Sequence, residues 1–343
     1  MTSENLPRAL ELGIRFDMLA PAFGASRDRL YSAAHDMAGW ADRNGFHTLL
    51  VGEHHGTLDG YTSAPFVVAA SLASRTSSVR VRMRAMLLPL HHPIELAEQI
   101  ATLDVLTGGR VEVVFGLGYV PREFAMFDVK RADRVSLIES GVELVRTALS
   151  DAEFTYSGAP ARVTPAPCQR PHPPLYLGGG VEASALRAAR LRVGFAPQVR
   201  FDELTALYKA ECGRLRQAPG PVIQTPVAYS VFVAEDPEEL WTRLARHVRH
   251  NANSYSAMTS DGQIASPFAE ILHPDDEIGL RERGGSRVVT PDQFVDLAVS
   301  SANSGRMIQF VPLLAGLDPD IAWQSLELIS ARVLPRLKEM NLM

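Results

Sequence analysis

Little in this 343-residue chain can serve as a staple, an anchor or an export signal. Its two cysteines, Cys168 and Cys212, cannot build a disulfide framework or a Cys-rich metal site, and a chain this long buries enough surface to need neither. A reducing compartment is the expectation. No apolar run reaches membrane-spanning length, and MTSENLPRAL lacks the basic, apolar, small-residue order of a secretory leader, so a cytoplasmic location with no membrane partner is expected. The balance of 34 Lys plus Arg against 39 Asp plus Glu, a formal charge of -5, leaves no basic block for a polyphosphate backbone and excludes nucleic acid as the expected partner. There is no GxGxxG turn, which argues against a dinucleotide-binding Rossmann fold, and no solenoid repeat or low-complexity linker. What remains is ordinary globular material, 46% hydrophobic and 21% charged.

Short apolar runs alternate with longer amphipathic ones, the pattern of β/α units around a parallel sheet. Strands are expected at 12–18, 47–52, 79–88, 111–115, 175–177, 194–196, 222–233 and 307–311. Helices fall between most of them, at 28–44, 66–74, 94–106, 134–149 and 182–191, with a last one over 320–340. Residues 154–163 read as a hairpin, followed by a proline-rich crossing at 164–174. Eight strand candidates favour an α/β fold of the (β/α)8 TIM-barrel kind, a single domain over 1–343. The insertion between strands 7 and 8, residues 235–305, is expected to be helical with no strand of its own.

Such barrels carry their chemistry at the C-terminal strand ends. Those ends here hold Phe16 and Asp17, Glu53-His54-His55, Arg84, Gly116-Leu117-Gly118, Gly178-Gly179-Gly180 and Gln309. Alternation along a strand puts Glu53 and His55 on one side and His54 on the other. A histidine there is a candidate general base, since imidazole titrates near neutrality; the plain alternative is a satisfied polar strand end. A zinc site drawing on His91 and His92 matches no closed ligand spacing and is the minority reading, so no metal is expected. The glycine turns let backbone approach a ligand, and the helix after the second offers N–H groups to an anion, though such corners are also common for purely conformational reasons. Arg80 and Arg82 read best as a solvated or ion-paired face, with Arg84 nearer the cavity.

Three segments carry a resemblance. GEHHGTLDGYTSAPFVVAASLASRTSSVRV (52–81), LLPLHHPIELAEQIATLDVLTGGRVEVVFGLGY (87–119) and PAPCQRPHPPLYLGGG (165–180) resemble, in order, the bacterial luciferase-like monooxygenases. That resemblance implies a TIM barrel using reduced FMN, supplied by a partner flavin reductase, or a deazaflavin coenzyme. It implies His54 as the catalytic residue, with Glu53 and His55 as its neighbours at the flavin. It implies Arg84, Ala85 and Met86 behind the ring, with a non-proline cis bond at Arg84-Ala85, and Gly116 and Gly118 beside it. Gly179, Gly180 and Ser184 match the positions that hold the phosphate tail, and residues 251–290 match a loop that closes over the site. Phe16, Asp17 and Gln309 are the candidate substrate contacts. Gly116-Leu117 stands where light-emitting members have Cys-Arg, so light emission is not implied and one phosphate partner is missing. The expected activity is oxidation of a small organic substrate by reduced FMN and O2. A deazaflavin-dependent hydride transfer and a non-catalytic flavin-binding subunit are the alternatives. A homodimer is the expected assembly.

Overall fold

A computed structural model describes residues 10–150, 152–258 and 273–343. In chain order its strands are β1 (Leu12–Phe16), β2 (Thr48–Val51), β3 (Arg80–Met86), β4 (Val111–Phe115), β5 (Phe154–Tyr156), β6 (Ala159–Ala161), β7 (Leu175–Gly179), β8 (Gly194–Pro197), β9 (Ser230–Val233), β10 (Ser286–Val289) and β11 (Ile308–Phe310). They alternate with helices except across β5, β6 and β7, and every ladder described below is parallel except the β5–β6 hairpin. The fold is therefore α/β with a parallel sheet.

The chain divides into two compact units. One comprises residues 1–50, 57–61 and 224–343; the other comprises 51–56 and 62–223. In the first, β1 pairs with β11, Leu12 facing Ile308 and Ile14 facing Phe310. Both strands are almost wholly apolar and buried, as strands covered on both faces must be. The helix Arg27–Arg43 covers them through Leu30, Ala34, Met37 and Trp40, and Trp40 meets Trp323 edge to face at 6.3 Å. Strand β9 joins the same layer where Val227 N–H donates to Met307 O at 3.0 Å and Val311 N–H to Ser230 Oγ at 2.9 Å.

In the second unit β3, β4, β7 and β8 lie side by side in that order. The Val114, Tyr176, Ala196 and Ile223 side chains form a core cluster there. Facing residues Arg82 and Glu112 form a buried cross-strand pair, Nε to Oε1 at 2.6 Å, with Arg80 Nε 3.6 Å from the other carboxylate oxygen. The arginine row is thus an ion-paired face, buried at Arg82. The β3–β4 register shifts between Arg84 and Met86, and the Arg84-Ala85 peptide bond is cis, at the position expected from the motif.

The structure corrects several expectations. The run 222–233 is not one strand: Pro221 and Pro226 have no N–H to give a ladder, Val222 makes a single bridge to Phe195, and only Ser230–Val233 is extended. That short strand ladders with β10, so the insertion 235–305 is not purely helical and the expected seventh strand is not one regular strand. Ser286–Val289 is too short for periodicity to reveal. Gly178 and Gly179 belong to β7 instead of following it. The last helix is interrupted by a π turn at Ile329–Val333, one residue before Leu334-Pro335, where the prolyl nitrogen cannot donate. A six-residue helix, Pro121–Met126, was not expected at all. Of the loop over 251–290, residues 259–272 lie outside the described residues. No helix among the described residues is long and apolar enough to cross a membrane.

Candidate active site

The second unit gathers most of the residues singled out above. Its segment 51–56 carries Glu53, His54 and His55 just past the end of β2. The side chains separate as alternation requires. Glu53 accepts from His55 Nε2 at 2.8 Å and His91 Nε2 at 2.6 Å on Oε1, and from the Leu87 N–H at 2.6 Å on Oε2. Burial alone would push this carboxyl up; the two histidines and the backbone N–H outweigh it and hold it at about 2. The same contact raises His91, against the opposing effect of its own burial. Glu53 is thereby a bracket: one carboxylate ties together the tip after β2, the end of β3 and the turn before the helix Pro93–Leu106.

His54 faces the other way. Its Nδ1 lies 2.8 Å from Glu123 Oε1, an atom that also accepts the His55 N–H at 2.9 Å. A carboxylate is an acceptor only, so this contact places an N–H on Nδ1, and in the neutral ring Nε2 then carries the lone pair. Nε2 sits 3.5 Å from the Tyr119 hydroxyl, with the two rings edge to face. Glu123 Oε2 is buried and has no hydrogen-bond partner among the described residues.

Glu123 reaches His54 because of local packing. Pro121 starts the short helix Pro121–Met126, with its fixed φ suited to a first helical position. Phe124 then buries itself against Leu87 and Leu90, past the end of β3, which turns neighbouring Glu123 inward. Phe127, just after this helix, meets the His55 ring at 4.6 Å. Sequence reading stopped at Gly118 and missed both Tyr119 and Glu123; the one local signal was a Tyr and a Glu directly after a strand-end glycine turn.

The ends of β3, β4 and β7 line up beside this dyad as neighbouring parallel strands. Gly116 N–H donates to Met86 O at 2.8 Å, and a Cβ at Gly116 would lie 3.1 Å from Ala85 Cβ, so only glycine keeps this stretch of wall flat. Arg84 and Ala85 are half-buried; Met86 is fully buried. At β7 a Cβ on Gly179 would collide with Ser184, whose buried side chain is seated against the glycine at the start of the helix Glu182–Arg190. The first N–H groups of that helix have no side-chain cap. Gly180 faces Val199, and Gly118 faces the Phe124 ring.

The remaining expected residues belong to the first unit. Asp17 accepts from Tyr229 Oη at 3.1 Å and from the Leu19 N–H at 3.3 Å, while Gln309 donates to Tyr229 O at 2.6 Å. Tyr229 thus joins Asp17 to Gln309; Phe16 is fully buried beside them in the chain.

A luciferase-like monooxygenase family model matches residues 14–299. The chain belongs to that family. The motif resemblance is thereby borne out, and the protein is an enzyme of a monooxygenase family. It is 26% identical over 329 residues to 4-hydroxyprotoasukamycin monooxygenase of Streptomyces nodosus subsp. asukaensis, covering 88% of this chain and 85% of that one. Other curated relatives align over about half of their own length, 55% and 44% in two cases. In fold it is similar to monooxygenase RslO1 from Streptomyces bottropensis, with TM-score 0.74 and 23% identity over 95% of this chain and 99% of that one. It is also similar to the oxygenating constituent of 3,6-diketocamphane monooxygenase of Pseudomonas putida, solved with FMN, with TM-score 0.70 and 19% identity over 96% and 98% of the two chains. Enzymes dependent on F420 share the fold as well, and one further relative is named as the oxygenase component of a flavin-dependent monooxygenase.

Proposed function

We propose that this chain is a flavin-dependent monooxygenase that takes reduced FMN from a separate reductase and uses O2 to oxidise a small organic substrate. The observation that carries the reading is the His54–Glu123 dyad, set at the strand-end edge of a parallel sheet in a chain of this family. The residues present suit a flavin: Glu123 Oε2, buried and without a hydrogen-bond partner among the described residues, is an acceptor, and a reduced isoalloxazine carries N–H donors. The side-chain-free wall at Gly116 suits a flat ring.

When bound, reduced flavin supplies the electrons that reduce O2 and place one oxygen atom on the substrate. The chain supplies the rest. Glu123 fixes the His54 tautomer and ring orientation, and His54 Nε2 takes up or returns a proton beside the cofactor. Glu53 holds the histidine tip in place without spending either oxygen on a ligand. Gly179, Gly180, Ser184 and the uncapped N–H groups of the helix Glu182–Arg190 would hold the phosphate, with Arg84, Ala85 and Gly116 behind the ring.

Anaerobic calorimetry with reduced FMN and, separately, reduced F420 tests the reading. Saturable binding of reduced FMN that is lost in Gly179→Val is the expected result. Binding of F420 with no response to FMN would overturn it in favour of hydride transfer.

A further inference from the structure

The first unit holds a second group of chemistry-bearing side chains that the flavin reading does not use. Arg15, on the same face of β1 as Asp17, donates from Nη2 to Tyr61 Oη at 2.7 Å and to Tyr255 Oη at 3.1 Å. The hydroxyls of Tyr61 and Tyr255 are 2.7 Å apart, and Tyr255 Oη is 3.4 Å from Tyr229 Oη, which donates in turn to Asp17. The guanidinium also lies over the Tyr229 ring, 5.2 Å from its centroid. Four tips from four separate stretches of chain therefore converge: the end of β1, the turn at 57–61, the approach to β9, and the helix Pro237–Met258.

The cation of this group has no direct ion pair. Among the described residues no carboxylate oxygen lies within ion-pair distance of Arg15; hydroxyls hydrogen-bond a single nitrogen, and Asp17 acts on it only through space. Arg15 Nε is buried with no hydrogen-bond partner among the described residues. One turn before Tyr255 on the same helix face, the side chain of Asn251 is fully buried with neither amide atom partnered among the described residues. Buried cations are ordinarily paired and buried amides hydrogen-bonded, because leaving either unmatched is costly. Burial pushes the Tyr61, Tyr229 and Tyr255 phenols up, against the lowering effect of Arg15, so all three are neutral hydroxyls at physiological pH. Burial likewise raises Asp17, against the lowering effect of Arg15.

We propose that Arg15 and the hydroxyls of Tyr61, Tyr229 and Tyr255 form a binding subsite for the carboxylate of an organic acid. The cation supplies the charge and an Nε–H that meets no partner among the described residues, the hydroxyls hold the guanidinium in place, and the tyrosine rings supply an apolar surface for the carbon skeleton. That this acid is the substrate of the monooxygenase rests on the functional reading above; the subsite itself does not.

The probes are benzoate and its neutral isostere benzamide, titrated into the full-length protein by calorimetry at neutral pH. Benzoate should bind saturably and more tightly than benzamide by about tenfold, the difference expected of a charge-assisted contact. Arg15→Met should abolish that preference. Tyr255→Phe, which keeps the ring and loses only the hydroxyl, should weaken benzoate severalfold and leave benzamide unchanged. Circular dichroism confirms that each variant is folded, and Tyr255→Phe keeps the test decisive should Arg15→Met fail to fold. Equal binding of the two probes, no saturable benzoate binding, or a preference that survives both variants would overturn the subsite. Reduced FMN titrated in parallel separates the two proposals: benzoate bound without FMN leaves the subsite standing and removes the monooxygenase reading, and FMN bound without benzoate does the reverse.

Discussion

The two polar centres of this molecule are built on opposite plans. In the second unit, carboxylates outnumber the roles left for them: Glu53 receives two histidines and a backbone N–H, and Glu123 receives a third histidine and another N–H. In the first unit a lone guanidinium is met by hydroxyls and by no carboxylate within ion-pair distance among the described residues. One centre has its carboxylates hydrogen-bonded to histidines and backbone N–H groups before any ligand arrives. The other holds its positive charge on hydroxyls. A catalytic group benefits from the first arrangement, because orientation is fixed in advance; recognition of an anion benefits from the second.

The sharpest way to break this contrast is to empty the bracket. Glu53→Ala leaves the buried His55 imidazole, the half-buried His91 imidazole and the Leu87 N–H without their acceptor, and should destabilise the fold by about 3–5 kcal/mol in urea unfolding. The pH dependence follows from the sign of the shift. A carboxyl lowered from 4.5 to about 2 stabilises the fold above pH 4.5, and that stability, about 3 kcal/mol, is lost as pH falls towards 2. His91, raised by the same contact, adds stability below its ordinary value of 6.5 that fades as pH rises past its folded value. Unfolding free energy measured from pH 7 to pH 2 should therefore show a steep acid limb in the wild type and a much weaker one in Glu53→Gln.

Glu123→Gln comes next in size. It keeps the shape beside His54 but no longer dictates which ring nitrogen carries the proton, so turnover should fall by about tenfold to a hundredfold. Its reduced-FMN affinity should fall as well, because the amide puts an N–H where Glu123 Oε2 would accept from the ring. Turnover lost with binding unchanged would mean that Glu123 acts through His54 alone. The smallest effect is a control on the surface. Arg29 and Asp318 make a paired contact with both distances at 3.2 Å, yet both side chains are largely solvated. Arg29→Ala should cost about 0–1 kcal/mol in the same urea assay. A cost near that of Glu53→Ala would show that burial does not set the scale.

The same contrast explains what could be read from the residues in advance. Strand β4 was legible to the residue because its five positions, four of them apolar, are bounded by Gly109-Arg110 and Gly116. The histidine tip and the glycine corners were legible because their motifs are local. Glu123 was not: it serves a histidine 69 positions away, and no periodicity encodes that distance. Arg15 and Tyr255 are separated by 240 positions, and a single arginine in an apolar strand looks no different from a solvated one until the fold closes around it. The broken strand over 222–233 was misread for a different reason, since its apolar content masked Pro226, which cannot donate to a ladder.

The central claim is that Glu123 presents His54 with its proton on Nδ1 and with Nε2 turned to the cofactor. Nitrogen NMR of protein labelled at histidine, with His54 assigned by loss of its signals in His54→Gln, tests this without a substrate. The expected result is a Nδ1-protonated neutral ring at pH 8 whose Nε2 resonance moves when reduced FMN is added anaerobically. A His54 ring protonated on Nε2, or a Nε2 resonance unmoved at saturating reduced FMN, would contradict the account.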